Sequence, residues 1–388
     1  MKILVCPLDW GLGHATRCVP LIRALLANGH EVAIGASGGG LRLLRGEFPG
    51  LECFDLPGYR VRYARSAAAF LPVMLAQLPA VLLGFRAERK LLQEQLALHP
   101  RDLVISDGRY GLKVDGTPCI FITHQVGIRI PGGFPGRALA ERILRGLNLA
   151  KLRRFDRVWI PDHSGDLSLS GDLGRAVPPP IGFEWIGPLS RFEPEGKALP
   201  TGVDILAVVS GPEPQRGLFE AALRRELATM PGTRVLVRGL PGEGDSAGAP
   251  CKNPTGLDSI RTGELTEFTH LPGADLARLF RNAGLVVARS GYTTVMELAG
   301  LGAAAAVLVP TPGQSEQEYL ADYLQSLGAA VKRGQDDLGL GAARFVAAAL
   351  PGFRRWRKEA DGDSALRLFL SRHPLLARVD TGVRIAQL

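Results

Sequence analysis

Twice along its 388 residues this chain repeats one pattern, a short apolar run followed by a stretch of helical periodicity. In the first series "KILVCPL" reads as a buried strand, residues 15–28 as a helix, "HEVAIGA" as a strand, "LRLLRGEFP" as a helix and "LECFDLP" as a strand. "RDLVISD" and "TPCIFITH" add two apolar strands with polar ends. The second series runs through "VDILAVVSG", a helix over 214–229, "TRVLVRG", "LTEFTHL", a helix over 274–282, "GLVVARS", a helix over 293–301, "AAAVLVP" and a helix over 315–327. Strands that alternate with helices pair in parallel, since a helical crossover returns the chain to the same end of the sheet. Their unbroken apolar character means that both sheet faces are covered. The expected fold is α/β, with two doubly wound, Rossmann-like parallel-sheet domains. Residues 1–190 make the first, the Gly-, Pro- and charge-rich 191–202 a linker, and 203–388 the second, whose last helix can pack back on the first.

The net charge of +8 is uneven, with +7 falling in residues 1–190. Residues 137–157 alone carry seven basic and two acidic side chains. That is either a solvated helix face or a surface for an anionic partner, such as a lipid surface or a phosphorylated acceptor. Nucleic acid is not expected, because no recognition motif accompanies the charge. Residues 66–85 hold no charge, yet Pro72, Gln77 and Pro79 interrupt them and arginines flank both ends. The expectation is a buried or interfacial helix, not a membrane span, able to rest on an anionic membrane or hold a lipid-linked substrate. Five scattered cysteines predict unpaired thiols, and the opening residues do not read as a signal peptide, so the expected location is the cytoplasm. Residues 239–256 read as a mobile surface loop.

Ligands of doubly wound sheets bind beyond the carboxyl ends of the strands. Four junctions qualify: 7–17, 210–216, 290–297 and 310–317. Free backbone N–H groups at such helix starts favour an anion. A dinucleotide cofactor fits poorly: Gly11 and Gly13 give G-x-G, but Thr16 replaces the third glycine and no acidic residue ends the second strand. No phosphate-loop lysine motif occurs, and Asp361-Gly362-Asp363, formally D-x-D, reads as a helix cap. No metal and no cofactor are expected. In "ARSGYTTVMELAG", Ser290 and Gly291 make a turn suited to a diphosphate, and Glu297, two turns on, can accept both hydroxyls of a ribose. Gln314, Gln317 and Glu318 open the next helix and can hydrogen-bond a polyol.

Here the sequence resembles the GT-B glycosyltransferases of family 28, the MurG-like transferases. In that family R-S-G…T-V-x-E is the UDP-sugar signature, matched without a gap from Arg289 to Glu297. The resemblance implies that Ser290, Gly291 and Thr294 contact phosphate and sugar, Glu297 the ribose and Gln317 the hexose. "VVSGPEPQRG" resembles the family's second phosphate loop, placing Ser210, Gly211, Gln215 and Arg216 on the donor, although Pro212 and Pro214 depart from its usual form. "FTHLPGAD" resembles the base-reading segment, with His270 and Leu271 near uracil. "GLGHATR" resembles the first glycine loop, which closes on the donor phosphates and whose histidine, here His14, is a proposed base. His14 alternatively only caps its helix. "ITHQ", with His124 and Gln125, resembles the acceptor-side loop, and Asp107 and Arg109 end the neighbouring strand. Each of these four has a plain reading as a loop or turn residue.

The fold so implied is GT-B, two domains facing a central cleft. The implied function is inverting transfer of a hexosyl, or N-acetylhexosaminyl, group from a UDP-sugar to a glycan or lipid-linked acceptor. Three rivals stand beside it: a UDP-sugar hydrolase, since Gly11–Cys18 also matches the G-x-G-H-x-x-R-C loop of the hydrolases of nonulosonate biosynthesis, a UDP-sugar epimerase, and a non-catalytic nucleotide-sugar sensor.

Overall fold

The computed structural model describes residues 1–58, 67–130, 136–175, 182–192, 202–240, 251–252, 258–359 and 362–376. Most of the expected linker, most of the 239–256 loop and Asp361 of the D-x-D lie outside these residues.

The first half of the chain runs β1 (Lys2–Pro7), α1 (Gly13–Ala27), β2 (Glu31–Ala36), α2 (Gly38–Glu47), β3 (Glu52–Asp55), α3 (Ala67–Leu98), β4 (Leu103–Asp107), β5 (Cys119–Ile122), α4 (Arg137–Leu152), β6 (Arg157–Ile160) and β7 (Phe183–Trp185). Its seven strands are all parallel, in the order β3-β2-β1-β4-β5-β6-β7. The second half runs β8 (Val203–Val208), α5 (Gln215–Thr229), β9 (Arg234–Val237), β10 (Cys251–Lys252), β11 (Asp258–Thr262), β12 (Leu265–Phe268), α6 (Gly273–Asn282), β13 (Ala283–Ala288), α7 (Tyr292–Leu301), β14 (Ala306–Leu308), α8 (Ser315–Ser326), β15 (Val331–Lys332), α9 (Leu340–Ala349) and α10 (Gly362–Arg372). Its sheet has the order β10-β11-β12-β9-β8-β13-β14-β15, antiparallel only where β11 meets β10 and β12.

The apolar runs explain the layering. Strands β4 and β5 are buried at every residue, as strands covered on both faces must be. Helix α1 is buried nearly all round because it packs against α2, α7 and α10 as well as its own sheet. One apolar cluster therefore runs through both halves, from Ile3 and Leu21 to Val286 and Met296. Helix α10 seats on the first sheet, where Phe369 and His373 both pack edge-on against Trp159 and Asn28 Nδ2 donates to the Arg367 carbonyl at 3.1 Å.

The apolar stretch forms the start of α3, which continues to Leu98, and Leu82 and Leu83 stand exposed on it, as the interfacial form of the expectation has it. Among the described residues no helix is long and apolar enough to cross a membrane. Cys6, Cys18, Cys53 and Cys119 are unpaired.

Each sheet reverses its winding direction once, between β1 and β4 in the first and between β8 and β13 in the second. These are the two places where strand ends diverge and leave a crevice.

Candidate functional site

The two crevices face one another and enclose a cleft of about 510 Å³. Its walls come from the loops after β1, β4, β5, β8 and β13 and the starts of α1, α7 and α8. Both α1 and α7 begin without a side-chain cap and without an acidic residue in the first turn. Their first N–H groups and dipoles thus present positive potential to the cleft. The two helix starts touch: Thr293 Oγ1 donates to the Gly13 carbonyl at 3.0 Å, and a Cβ at residue 13 would lie 3.1 Å from that hydroxyl. A side chain at 13 would therefore crowd this contact and require the Thr293 hydroxyl to shift.

His14, on the first turn of α1, stands at the centre. Its imidazole is 21% exposed, opening on the cleft, while Asp107 at the end of β4 is fully enclosed behind it. His14 Nδ1 lies 3.1 Å from Asp107 Oδ2. Arg17, one turn along α1, sends Nε to the two Asp107 oxygens at 3.0 and 2.8 Å, and its Nη2 also reaches Oδ1. The same Nη2 is 2.8 Å from His14 Nδ1. Burial alone would raise the Asp107 carboxyl, but Arg17 and His14 outweigh it and hold the group well below the carboxylate range. Burial and the Arg17 charge push His14 below its ordinary value, with Asp107 opposing. The outcome is an ionised aspartate and a neutral imidazole at pH 7. Gly108 is part of this construction, because a Cβ there would sit 2.9 Å from His14 Cε1 and its φ of +76° lies in the left-handed region.

The opposite wall carries Gly291, Thr293, Thr294 and Glu297 of α7, and Gln314, Glu316 and Gln317 at α8. Glu297 is buried and accepts from Arg191 Nε at 2.9 Å; burial raises its carboxyl despite that partner. Gln317 Oε1 accepts from the Thr311 N–H at 2.9 Å. Glu316 bridges the cleft: its Oε1 is 2.7 Å from His124 Nε2, and Oε2 accepts from Gln125 Nε2. His124 also stacks on Tyr292 at 4.1 Å. Ser210, Gly211, His270 and Leu271 line the remaining rim with Gly11. Burial and Arg191 lower His270.

Several sequence candidates lie behind the wall. Arg289 is fully buried; its guanidinium donates to the carbonyls of Val309, Pro310 and Gln215 and to Gln335, and lies 4.1 Å over the Phe219 ring. It ties β13 to β14 and α5, and does not face the cleft. Arg109 likewise is a packing element, bonding Glu88 of α3 at 2.7 Å and the carbonyls of Pro7, Leu56 and Pro57. Its place on the acceptor side is therefore corrected. Arg216 is paired with Glu213 and Glu220, both at 2.6 Å, which neutralises the charge expected for the diphosphate. Gln215 is buried under the loop after β8. Ser290 donates to the Gln317 carbonyl at 2.8 Å, and Glu318 accepts from the Gly313 N–H at 3.1 Å; both shape the wall from inside. Asp107 is not on the acceptor surface but behind His14. The sequence reading missed Arg17, Arg191, Thr293 and Glu316; only Arg17, as the arginine of G-x-G-H-x-x-R-C, stood in a motif. Among the described residues, no group of three or more His, Cys, Asp or Glu is placed to hold a metal ion.

Residues 242–342 match the glycosyltransferase family 28 C-terminal domain. An uncharacterized glycosyltransferase of Methanosarcina acetivorans is 28% identical over 345 residues, covering 84% of this chain and 82% of that protein. The UDP-N-acetylglucosamine--N-acetylmuramyl-(pentapeptide) pyrophosphoryl-undecaprenol N-acetylglucosamine transferase of Methylobacterium nodulans is 28% identical over 350 residues, covering 84% and 82%. Among solved structures, the glycotransferase of kitacinnamycin superposes with a TM-score of 0.63 at 18% identity, covering 96% of this chain and 98% of that one.

Proposed function

We propose that this chain, a GT-B glycosyltransferase of the family 28 type, moves a hexosyl or N-acetylhexosaminyl group from a UDP-sugar to a glycan or lipid-linked acceptor by one inverting displacement. The observation that carries the reading is the His14–Asp107 pair at the mouth of α1, set directly across from the start of α7. With its proton on Nδ1 donated to Asp107 Oδ2, and Arg17 Nη2 directing its N–H to Asp107 Oδ1 and not to that ring nitrogen, His14 offers the Nε2 lone pair to the cleft and can take the proton of an attacking hydroxyl. The departing UDP carries charge that the uncapped starts of α1 and α7 stabilise, so the step is read as needing no metal or organic cofactor. Glu297 takes the ribose hydroxyls, Gln314 and Gln317 the hexose, and His270 with Leu271 the base, while Ser210 and Gly211 close over the diphosphate. His124 and Gln125 face the acceptor. The reaction is placed in the cytoplasm, at the inner face of a membrane where the acceptor is lipid-linked.

The test is UDP release from a panel of UDP-hexoses and UDP-N-acetylhexosamines, with and without glycan and lipid-linked acceptors. Release that depends on an acceptor supports transfer. Equal release in its absence makes water the acceptor and replaces transfer by hydrolysis, and binding without turnover makes the protein a sensor.

A further inference from the structure

Tyr292 opens α7 between Gly291 and Thr293, yet its buried side chain makes its polar and ring contacts with the first half of the chain. Its hydroxyl donates to the Pro161 carbonyl at 2.9 Å. That carbonyl is a fixed target, because the next residue, Asp162, is a buried carboxylate with many donors. It accepts from the N–H groups of His163, Leu169 and Ser170 at 2.7 to 2.9 Å, and from the hydroxyls of Ser168 and Ser170. Held at its far end in this way, the Tyr292 ring lies 10° from parallel against the His124 imidazole, with centres 4.1 Å apart.

The hydrogen-bond roles of His124 follow from its neighbours. Arg17 Nη1 lies 3.3 Å from His124 Nδ1, and a guanidinium only donates, so Nδ1 accepts. The ring proton is then on Nε2, which donates to Glu316 Oε1 at 2.7 Å. Both nitrogens are engaged, so His124 stands as a strut and not as a second base. What it supports is Arg17, the same guanidinium whose Nε and Nη2 hold Asp107 behind His14. One line of contacts therefore runs from Tyr292 and Glu316 of the second half, through His124 and Arg17, to Asp107 and His14. Filling space between the halves would need a ring of this size, but not a partner that fixes the arginine of the His14 pair.

We propose that Tyr292 is a positioning residue for the proton-transfer group: by stacking on His124 it holds Arg17 where it can set Asp107 and His14. The role given to His14 rests on the transferase reading. A chain of contacts carries coupling only if a change at one end is felt at the other, and that can be measured with no substrate present.

The probe is the full chain with isotope-labelled histidine, seven rings in all, followed by nuclear magnetic resonance; His14→Ala and His124→Ala chains assign the two signals. His14 is faced by Arg17 from α1, Asp107 from β4, His124 after β5 and Glu316 from α8. In the unaltered chain it should titrate below the ordinary value of about 6.5, because burial and Arg17 together outweigh Asp107. Tyr292→Ala takes the ring from His124, loosens Arg17 and admits water, so the His14 titration should move up toward 6.5. The His124 nitrogen signals should at the same time lose their single Nε2–H form. Tyr292→Phe keeps the stack and gives up only the Pro161 hydrogen bond, so it should stay near the unaltered chain on both readouts. Tyr292→Leu fills more of the space without a ring and reads the same coupling where the alanine chain fails to fold. With substrates, kcat of the alanine chain should fall by roughly 10–100-fold, as misplacing a reacting group does, with a smaller change in donor KM and recovery in Tyr292→Phe. A His14 titration that stays in place or moves down in the folded alanine or leucine chain, with the His124 tautomer unchanged, overturns the proposal and leaves Tyr292 a packing residue. Absent UDP binding and turnover in the unaltered chain would instead fail the transferase reading, while the ring titrations still decide the coupling.

Discussion

Replacing Asp107 by asparagine reaches the centre of the proposed mechanism with almost no change of shape. The amide removes one charge and one of two acceptor oxygens. Arg17 is 3% exposed and engages both oxygens, so it claims the single oxygen that remains. The amide NH₂ then turns toward His14 Nδ1, which now faces Oδ2 at 3.1 Å. Nδ1 has to accept, the imidazole proton moves to Nε2, and the nitrogen facing the cleft loses its lone pair. Turnover should fall by about 10²–10⁴, the span a positioned general base supplies. Donor affinity should hold, because Asp107 does not line the cleft. Stability should fall too, since removing one partner of a buried ion pair costs roughly 3–5 kcal/mol.

The wild-type carboxyl is held below its unfolded value, near ~3.9. Its stabilising contribution is therefore complete above that value and is lost as pH falls through the lower, folded one. The asparagine chain should lose less stability between neutral and acid pH. Single-turnover UDP release, UDP titration calorimetry and urea unfolding at two pH values measure all four effects. A folded Asp107→Asn chain whose turnover stays within roughly tenfold of wild type would refute the tautomer argument.

Three further outcomes are expected. His14→Ala should abolish turnover and leave UDP affinity intact; in the unaltered chain, kcat/KM should rise with pH through an inflection below the ordinary histidine value of about 6.5 and then level off, and an inflection above it would contradict the placement of burial and Arg17 around the ring. Glu297→Ala should weaken UDP binding by roughly 10–100-fold for two lost hydrogen bonds, while Glu297→Gln, which keeps an acceptor for Arg191, should lose less; unchanged titration curves for both would remove Glu297 from the donor site. Arg109→Met should remove the guanidinium that pairs with the buried Glu88 carboxylate and lower stability by about 3–5 kcal/mol in urea unfolding, and a negligible shift would show that α3 is anchored otherwise.

What could be read from the sequence was what depends on neighbours along the chain. Apolar strands and the helices between them declare themselves by local pattern, and the parallel pairing that follows fixes where the crevices open. The glycine loop before His14 and the turn at Ser290-Gly291 were legible for the same reason, since a helix start needs only a few residues to be recognised. The errors share a different cause. Arg109 and Arg289 both end a strand at a junction where ligands bind, and nothing local says whether such a guanidinium faces the cleft or turns back into the carbonyls behind it. The answer is set by Glu88 in one case and by Gln335 in the other, 21 and 46 residues away. Glu316 and Gln317 are adjacent, and a rotation of one residue along α8 decides that the first meets His124 across the cleft while the second bonds Thr311 beneath it. His14 shows how far this limit extends. Its loop marked it as a candidate, but the carboxylate that orients it lies 93 residues on, and the glycine that leaves it room stands one position beyond that carboxylate. A base is defined by such partners, so the sequence alone leaves His14 open between a helix cap and the proton acceptor proposed for it.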